Sequence, residues 1–202
     1  MKARRNPFRS DRVEAFRYRL TEQQWEVLRR RFEDLGRRAA IVGPHGTGKT
    51  VLTEDFRARL EADGVPTTIL RFHDRFSRRD RLVLRDRLSA LPPRTVIILD
   101  GGELLPRRIW RRLSASLDSG NGILTTLHHP RQLPVLFETR PQLEIARELI
   151  RSMLGRPLHP EECASVDERF TRAGGNIRDV VRSFYLEYAG LPVPHSLRHA
   201  EC

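Results

Sequence analysis

Ala39-Ala40-Ile41-Val42 runs directly into Gly43-Pro44-His45-Gly46-Thr47-Gly48-Lys49-Thr50, and apolar side chains recur at helical spacing after Thr50. An apolar strand, a glycine-rich turn closing on Gly-Lys-Thr and a helix together form a phosphate-binding loop in its required context. The glycines let backbone N–H groups turn inward into an anion nest, and the helix starting near Lys49 adds the positive end of its dipole. In such a loop Lys49 reaches the β- and γ-phosphates of a nucleoside triphosphate, and the Thr50 hydroxyl holds Mg2+. Of the 37 basic residues only Lys2 and Lys49 are lysine, so the one interior lysine stands where a compact ammonium is needed. A broad, planar guanidinium does not replace it there. The nucleotide-contacting segment is therefore Gly43, Pro44, His45, Gly46, Thr47, Gly48, Lys49, Thr50 and Val51.

Outward from the loop, strand and helix patterns alternate. On the N-terminal side, Thr21 and Gln24 have capping-box spacing, and Trp25, Leu28, Phe32 and Leu35 repeat every three to four residues before Gly36, which predicts an amphipathic helix. On the C-terminal side a helix over about 49–62 carries Val51, Leu52, Phe56 and Leu60 on its apolar face. A strand follows at 66–72, then a helix over 77–90 with Leu82, Leu84 and Leu88 inward. Thr95-Val96-Ile97-Ile98-Leu99 is a β-branched run expected of a central parallel strand buried on both faces. It ends in Asp100. A helix over 106–117, a strand at 122–127 and a short strand near 135–138 complete the alternation, which implies right-handed crossovers. The fold class is thus α/β, a three-layer αβα arrangement on a mostly parallel sheet of about five strands.

Three helical segments close the pattern, at about 141–154, 160–172 and 176–188. The last opens on Gly174-Gly175-Asn176 with Asn176 as N-cap. Four regions are expected: an Arg-rich arm over 1–20, the αβα domain over 21–155, a small helical lid over 156–189, and a loose tail over 190–202.

A Mg·triphosphate site needs a carboxylate at the end of a neighbouring strand, and Asp100 supplies it. Hydrolysis also needs a group to orient or deprotonate the attacking water. Glu103 is the nearest carboxylate, one tight turn past Gly101-Gly102, and equally favours the N-terminus of the next helix. Strand 122–127 leads from Thr125-Thr126-Leu127 into His128-His129 on the same sheet edge, where Thr126 or His128 senses the γ-phosphate. Arg178 stands in the first turn of the last helix, where the dipole disfavours a cation, so it needs an anionic partner. Asp179 is one candidate and the triphosphate the sharper one, which would make the lid respond to the γ-phosphate.

Composition narrows the partners. The net charge of +11 attracts phosphate backbones, although the arginines are spread through the chain and mixed with Asp and Glu in runs such as Arg85-Asp86-Arg87. A nucleic acid, an acidic protein or a second copy of the chain all remain open as partners. No stretch approaches the roughly 18 apolar residues of a membrane span, and Met1 to Phe8 lacks a signal peptide's apolar region, so a cytoplasmic protein is expected. Cys163 and Cys202 form no disulfide framework, and no Cys/His spacing suggests zinc.

Taken in order, these pieces resemble a compact AAA+ or AAA+-related P-loop ATPase. Gly43–Thr50 is similar to Walker A and Ile97-Ile98-Leu99-Asp100 to Walker B. Thr126 falls at the sensor 1 position, and Gly174-Gly175-Asn176-Ile177-Arg178 resembles the Gly-Asn-x-Arg sensor 2 of origin-recognition and transposition-helper ATPases. Asn6-Pro7-Phe8 resembles the start of that group, where the segment flanks the base. The chain departs from the pattern where Asp100-Gly101-Gly102-Glu103 replaces the paired Asp-Glu, which implies slow turnover. Arg111, Arg112 and Arg131 are all arginine-finger candidates. The resemblance implies ATP and Mg2+ as cofactors, and an ATPase or nucleotide-dependent switch as the function. A small-molecule or nucleotide kinase is one alternative. A nucleotide-binding module that docks DNA without appreciable hydrolysis is the other.

Overall fold

The computed structural model describes residues 6–8, 20–72, 76–117, 120–131 and 133–192. These divide into two compact units, one formed by 20–43 and 49–139, the other by 6–8, 44–48 and 140–192.

The first unit is built on five strands, β1 (Arg38–Val42), β2 (Thr67–Arg71), β3 (Val96–Asp100), β4 (Gly122–Leu127) and β5 (Val135–Glu138). They form an all-parallel sheet in the order β2-β3-β4-β1-β5. Four helices accompany them: α1 (Glu22–Asp34), α2 (Lys49–Ala62), α3 (Arg78–Ser89) and α4 (Arg107–Ser116). Alternate residues of the central strands serve opposite layers, as the two-residue period requires. Ile41, Ile98 and Leu124 pack with Trp25 and Phe32 of α1 and Leu52 and Phe56 of α2. Ile97, Leu99 and Ile123 pack with Leu84 of α3 and Trp110 and Leu113 of α4. Each such side chain contributes about 1.5–3 kcal/mol by leaving water, so the sheet is pinned from both faces. The expected three-layer α/β architecture is the one formed.

Local signals set the element ends. The Thr21 N–H donates to Gln24 Oε1 at 2.8 Å and the Gln24 N–H to Thr21 Oγ1 at 3.2 Å, closing the expected capping box of α1. Phe32 meets Phe56 edge to face at 5.4 Å, which locks α1 on α2. The expected face of α3 needs correction: Leu84 is buried and Leu88 partly so, but Leu82 is 50% exposed. Residues 82 and 84 lie two apart and point to different sides of a helix, whereas 84 and 88 share a side.

The second unit contains α5 (Leu143–Leu154), α6 (Pro160–Arg172) and α7 (Ile177–Tyr188) around Leu149, Ile150, Val166, Val180 and Phe184. Phe8 is buried in the same cluster, 5.3 Å from the Phe184 ring and 4.9 Å from that of Tyr188. Asn6 fixes its approach: Nδ2 donates to the Tyr185 carbonyl at 2.8 Å, and Oδ1 accepts the Phe8 N–H at 3.0 Å. Within the Arg-rich segment these two residues are therefore core, while 1–5 and 9–19 lie outside the described residues, as do 193–202 of the expected tail. Arg147 pairs with Asp167 between α5 and α6. Arg156 lies 2.6 Å from Glu162 and, with the His159 N–H, holds that carboxyl down at about 2. Among the described residues, no helix is long and apolar enough to cross a membrane.

Candidate functional site

Parallel strands all present their C-terminal ends at one edge, and in α/β sheets that edge is where ligands bind. Here it carries Val42 of β1, Asp100 of β3 and Leu127 of β4, with β4 between the other two. Beyond Val42 the chain enters the loop over 43–48. The Thr139 N–H, just past β5, donates to the Val42 carbonyl at 2.7 Å. A Cβ on Gly43 would stand 2.2 Å from Thr139 Oγ1, so only glycine fits the turn out of the strand. The sequence carries no sign of this clamp, because Thr139 follows an ordinary edge strand.

Inside the loop the Thr47 hydroxyl donates to the Pro44 carbonyl at 2.8 Å, and Lys49 Nζ donates to the Gly43 carbonyl at 2.6 Å. The lysine side chain thus folds back over the turn it was expected to serve. Pro44 and His45 are exposed, Thr47 is buried, and Lys49, Thr50 and Val51 are half-buried at the start of α2. Gly46 has φ +72°, and a Cβ there would lie 1.8 Å from Asn176 Oδ1. The apex of the loop therefore abuts the residue that caps α7.

Asp100 and Thr126 form a tight pair at the sheet edge. The Thr126 hydroxyl donates to Asp100 Oδ1 at 2.8 Å and accepts the Gly101 N–H at 2.9 Å. Thr126 is only 2% exposed, so it fixes both the carboxylate and the backbone that follows it. Gly101 takes φ +84°, where a Cβ would meet the Phe72 carbonyl oxygen at 2.4 Å. The chain then turns through Gly102–Leu104, and Trp110 of α4 holds the turn by donating its indole N–H to the Gly102 carbonyl at 3.0 Å.

Glu103 and His128, assigned separately from the sequence, meet in space. His128 Nδ1 lies 3.1 Å from Glu103 Oε1. Glu103 Oε2 is buried without a hydrogen-bond partner among the described residues. One carboxylate oxygen is thereby oriented, and the other keeps its lone pairs.

Asn176 caps α7 as expected, accepting the Arg178 and Asp179 N–H groups at 3.1 and 3.4 Å. Its Nδ2 donates to Asp179 Oδ2 at 2.7 Å. Asp179 therefore serves the cap and not Arg178, whose exposed guanidinium makes no ion pair among the described residues.

No family model matches the chain, and no curated protein sequence does. Solved structures do match. The RuvB Holliday junction branch migration motor of Thermotoga maritima is 13% identical, with a TM-score of 0.57 over 88% of this chain and 67% of its own. A replication initiator DnaA bound to AMPPCP and single-stranded DNA is 16% identical, with a TM-score of 0.60 over 94% of this chain and 68% of that one. Domain III of the Thermotoga maritima DnaA is 14% identical, with a TM-score of 0.54 over 94% and 95%. The chain spans about two thirds of the RuvB chain and of the AMPPCP-bound DnaA chain, and nearly all of the isolated DnaA domain.

Proposed function

The chain has the fold of the AAA+-type P-loop NTPases, and from that premise we propose that it is a Mg·ATP-binding ATPase or nucleotide-dependent switch. The observation that carries the proposal is the Thr126 hydroxyl. It ties Asp100 to Gly101 on the edge where the phosphate loop begins, an arrangement with a use when Asp100 must face a metal-bound phosphate. The AMPPCP carried by the DnaA neighbour supports ATP as the nucleotide, and its single-stranded DNA supports a nucleic acid as partner.

The donor set suits the group. Thr50 and Asp100 offer hard oxygens of the kind Mg2+ takes alongside phosphates and water, and a glycine-rich loop before a helix can turn its amides toward an anion. Mg2+ would supply charge neutralisation at the β- and γ-phosphates. The chain's own residues do the rest. Gly43 to Val51 cradle the phosphates, and Lys49 exchanges the Gly43 carbonyl for a phosphate oxygen. Asp100, oriented by Thr126, is the metal-side carboxylate. Glu103, held through Oε1 by His128, is the carboxylate that takes a proton from the attacking water. Arg178, in the same unit as loop residues 44–48, reads the terminal phosphate.

The engagement of Glu103 by His128 favours a second reading, a binding switch with little turnover, since a carboxylate tied to an imidazole is less free to meet water. Phosphate release by the intact chain separates the two. Lys49→Ala tests the site common to both: removing a charge-assisted contact of roughly 1.5–3 kcal/mol should weaken ATP by about tenfold or more in calorimetry. Unchanged affinity would overturn the assignment.

A further inference from the structure

Arginine is everywhere in this chain, but it is not everywhere engaged. Several exposed helix arginines meet carboxylates: Arg30 with Glu26, Arg59 with Glu22, Arg147 with Asp167 and Arg172 with Glu168. Helix α4 has no such carboxylate of its own: Arg107-Arg108-Ile109-Trp110-Arg111-Arg112-Leu113-Ser114-Ala115-Ser116. Among the described residues it is the one helix with no Asp or Glu, and none of its four arginines makes an ion pair.

Their spacing gathers them. Positions 107 and 111, and 108 and 112, are four apart and adjacent, so all four guanidiniums stand on one exposed side within about 8 Å of helix axis. Ile109, Trp110 and Leu113 bury the opposite side in the sheet unit's core. Four like charges this close repel one another, and two of them occupy the first turn, where the helix dipole adds to the repulsion. The N-cap is Pro106, with no side-chain cap and no acidic residue to relieve it. Helix α3 also begins with two arginines, but there Asp80 and the Ser77 cap offset them. Among the described residues no carboxylate offsets the α4 charges, which suits an external polyanion as their partner.

We propose that this arginine face of α4 docks on the phosphate backbone of duplex DNA, without reading sequence. A duplex carries one charge per about 1.7 Å of axis, dense enough to meet four guanidiniums in one patch. Single strands are generally held with stacked aromatics. The sole aromatic of α4, Trp110, is buried with its indole N–H on the Gly102 carbonyl, so the face offers no stacking platform. Its position after the turn that carries Asp100 and Glu103 joins the docking face to the nucleotide machinery through one short stretch of backbone. The inference deepens the proposal of a nucleic-acid partner and rests on it, but not on the phosphate loop.

The test is a salt titration of a labelled duplex, read by fluorescence anisotropy with the full chain. The variant is Arg107→Gln/Arg108→Gln/Arg111→Gln/Arg112→Gln. Its charge-matched control is Arg30→Gln/Arg85→Gln/Arg151→Gln/Arg172→Gln. The α4 variant should lose binding steeply, and the slope of log affinity against log salt should fall by about 0.9 for each phosphate contact removed. The far-UV circular dichroism spectrum should match that of the wild type, which reports an intact fold. If the wild-type chain retains no duplex at low salt, the nucleic-acid partner itself is wrong. Retention lost equally in variant and control, or untouched in the variant, overturns the α4 assignment alone. Tighter retention of a single strand of the same sequence overturns the choice of duplex. Loss of phosphate release without loss of duplex binding assigns the arginines to a neighbouring copy's nucleotide instead, and also overturns it.

Discussion

Thr126 and Arg178 are both candidates for sensing the terminal phosphate, and they are built in opposite ways. Thr126 sits in a fully buried strand, 2% exposed, with its hydroxyl committed to Asp100 and to the Gly101 N–H. Arg178 is exposed on the first turn of α7, its backbone N–H held by Asn176 and its guanidinium unpaired among the described residues. The first is a prepositioned orienting group whose loss leaves buried polar atoms unsatisfied. The second is a long side chain on a capped helix, free to commit only when an anion is present. A fixed group suits holding a carboxylate in one geometry, whereas a free one suits telling two nucleotide states apart.

Substitutions can break that contrast, and the largest effect is expected at Gly46. Gly46→Ala forces a left-handed alanine, costing about 1–2 kcal/mol, and drives a methyl into Asn176 Oδ1. Disturbing that cap adds about 1 kcal/mol, so urea unfolding should show a loss of roughly 2–3 kcal/mol. An unchanged midpoint would mean that the loop apex and the α7 cap are not coupled. Thr126→Val should come next. It strips a partner from Asp100 and from the Gly101 N–H, at about 1–3 kcal/mol, while Thr126→Ser keeps the hydroxyl and should restore most of it. Equal stability of the Val and Ser variants would sink the orienting role. The smallest structural effect belongs to Arg178→Ala, where unfolding should move by no more than about 0.5 kcal/mol. ATP affinity should still fall about tenfold with ADP little changed. Equal weakening of both nucleotides would end its role as a reader of the γ-phosphate.

Much of the frame was legible because its signals are local and periodic. The β-branched run Val96–Leu99, the Thr21/Gln24 box and the Asn176 cap each specify structure within a few residues, and each is found. Leu82 departs from the expected apolar face because the helical period separates 82 from 84 even within a cluster of leucines. Harder to read were contacts between segments distant in sequence. Nothing in Glu103 or His128 announces the 3.1 Å pairing, and Phe8, in an Arg-rich stretch, gives no hint that its ring lies among Phe184 and Tyr188. Such contacts depend on how helices and turns settle on one another, which periodicity does not encode.

The indole of Trp110 grips the turn that leads from Asp100 to Glu103. The chain contains only two tryptophans, and the other, Trp25, belongs to the opposite layer of the sheet. With Trp25 replaced by phenylalanine, the protein becomes its own optical gauge: the emission colour of a single buried fluorophore follows the backbone that joins Asp100 to Glu103.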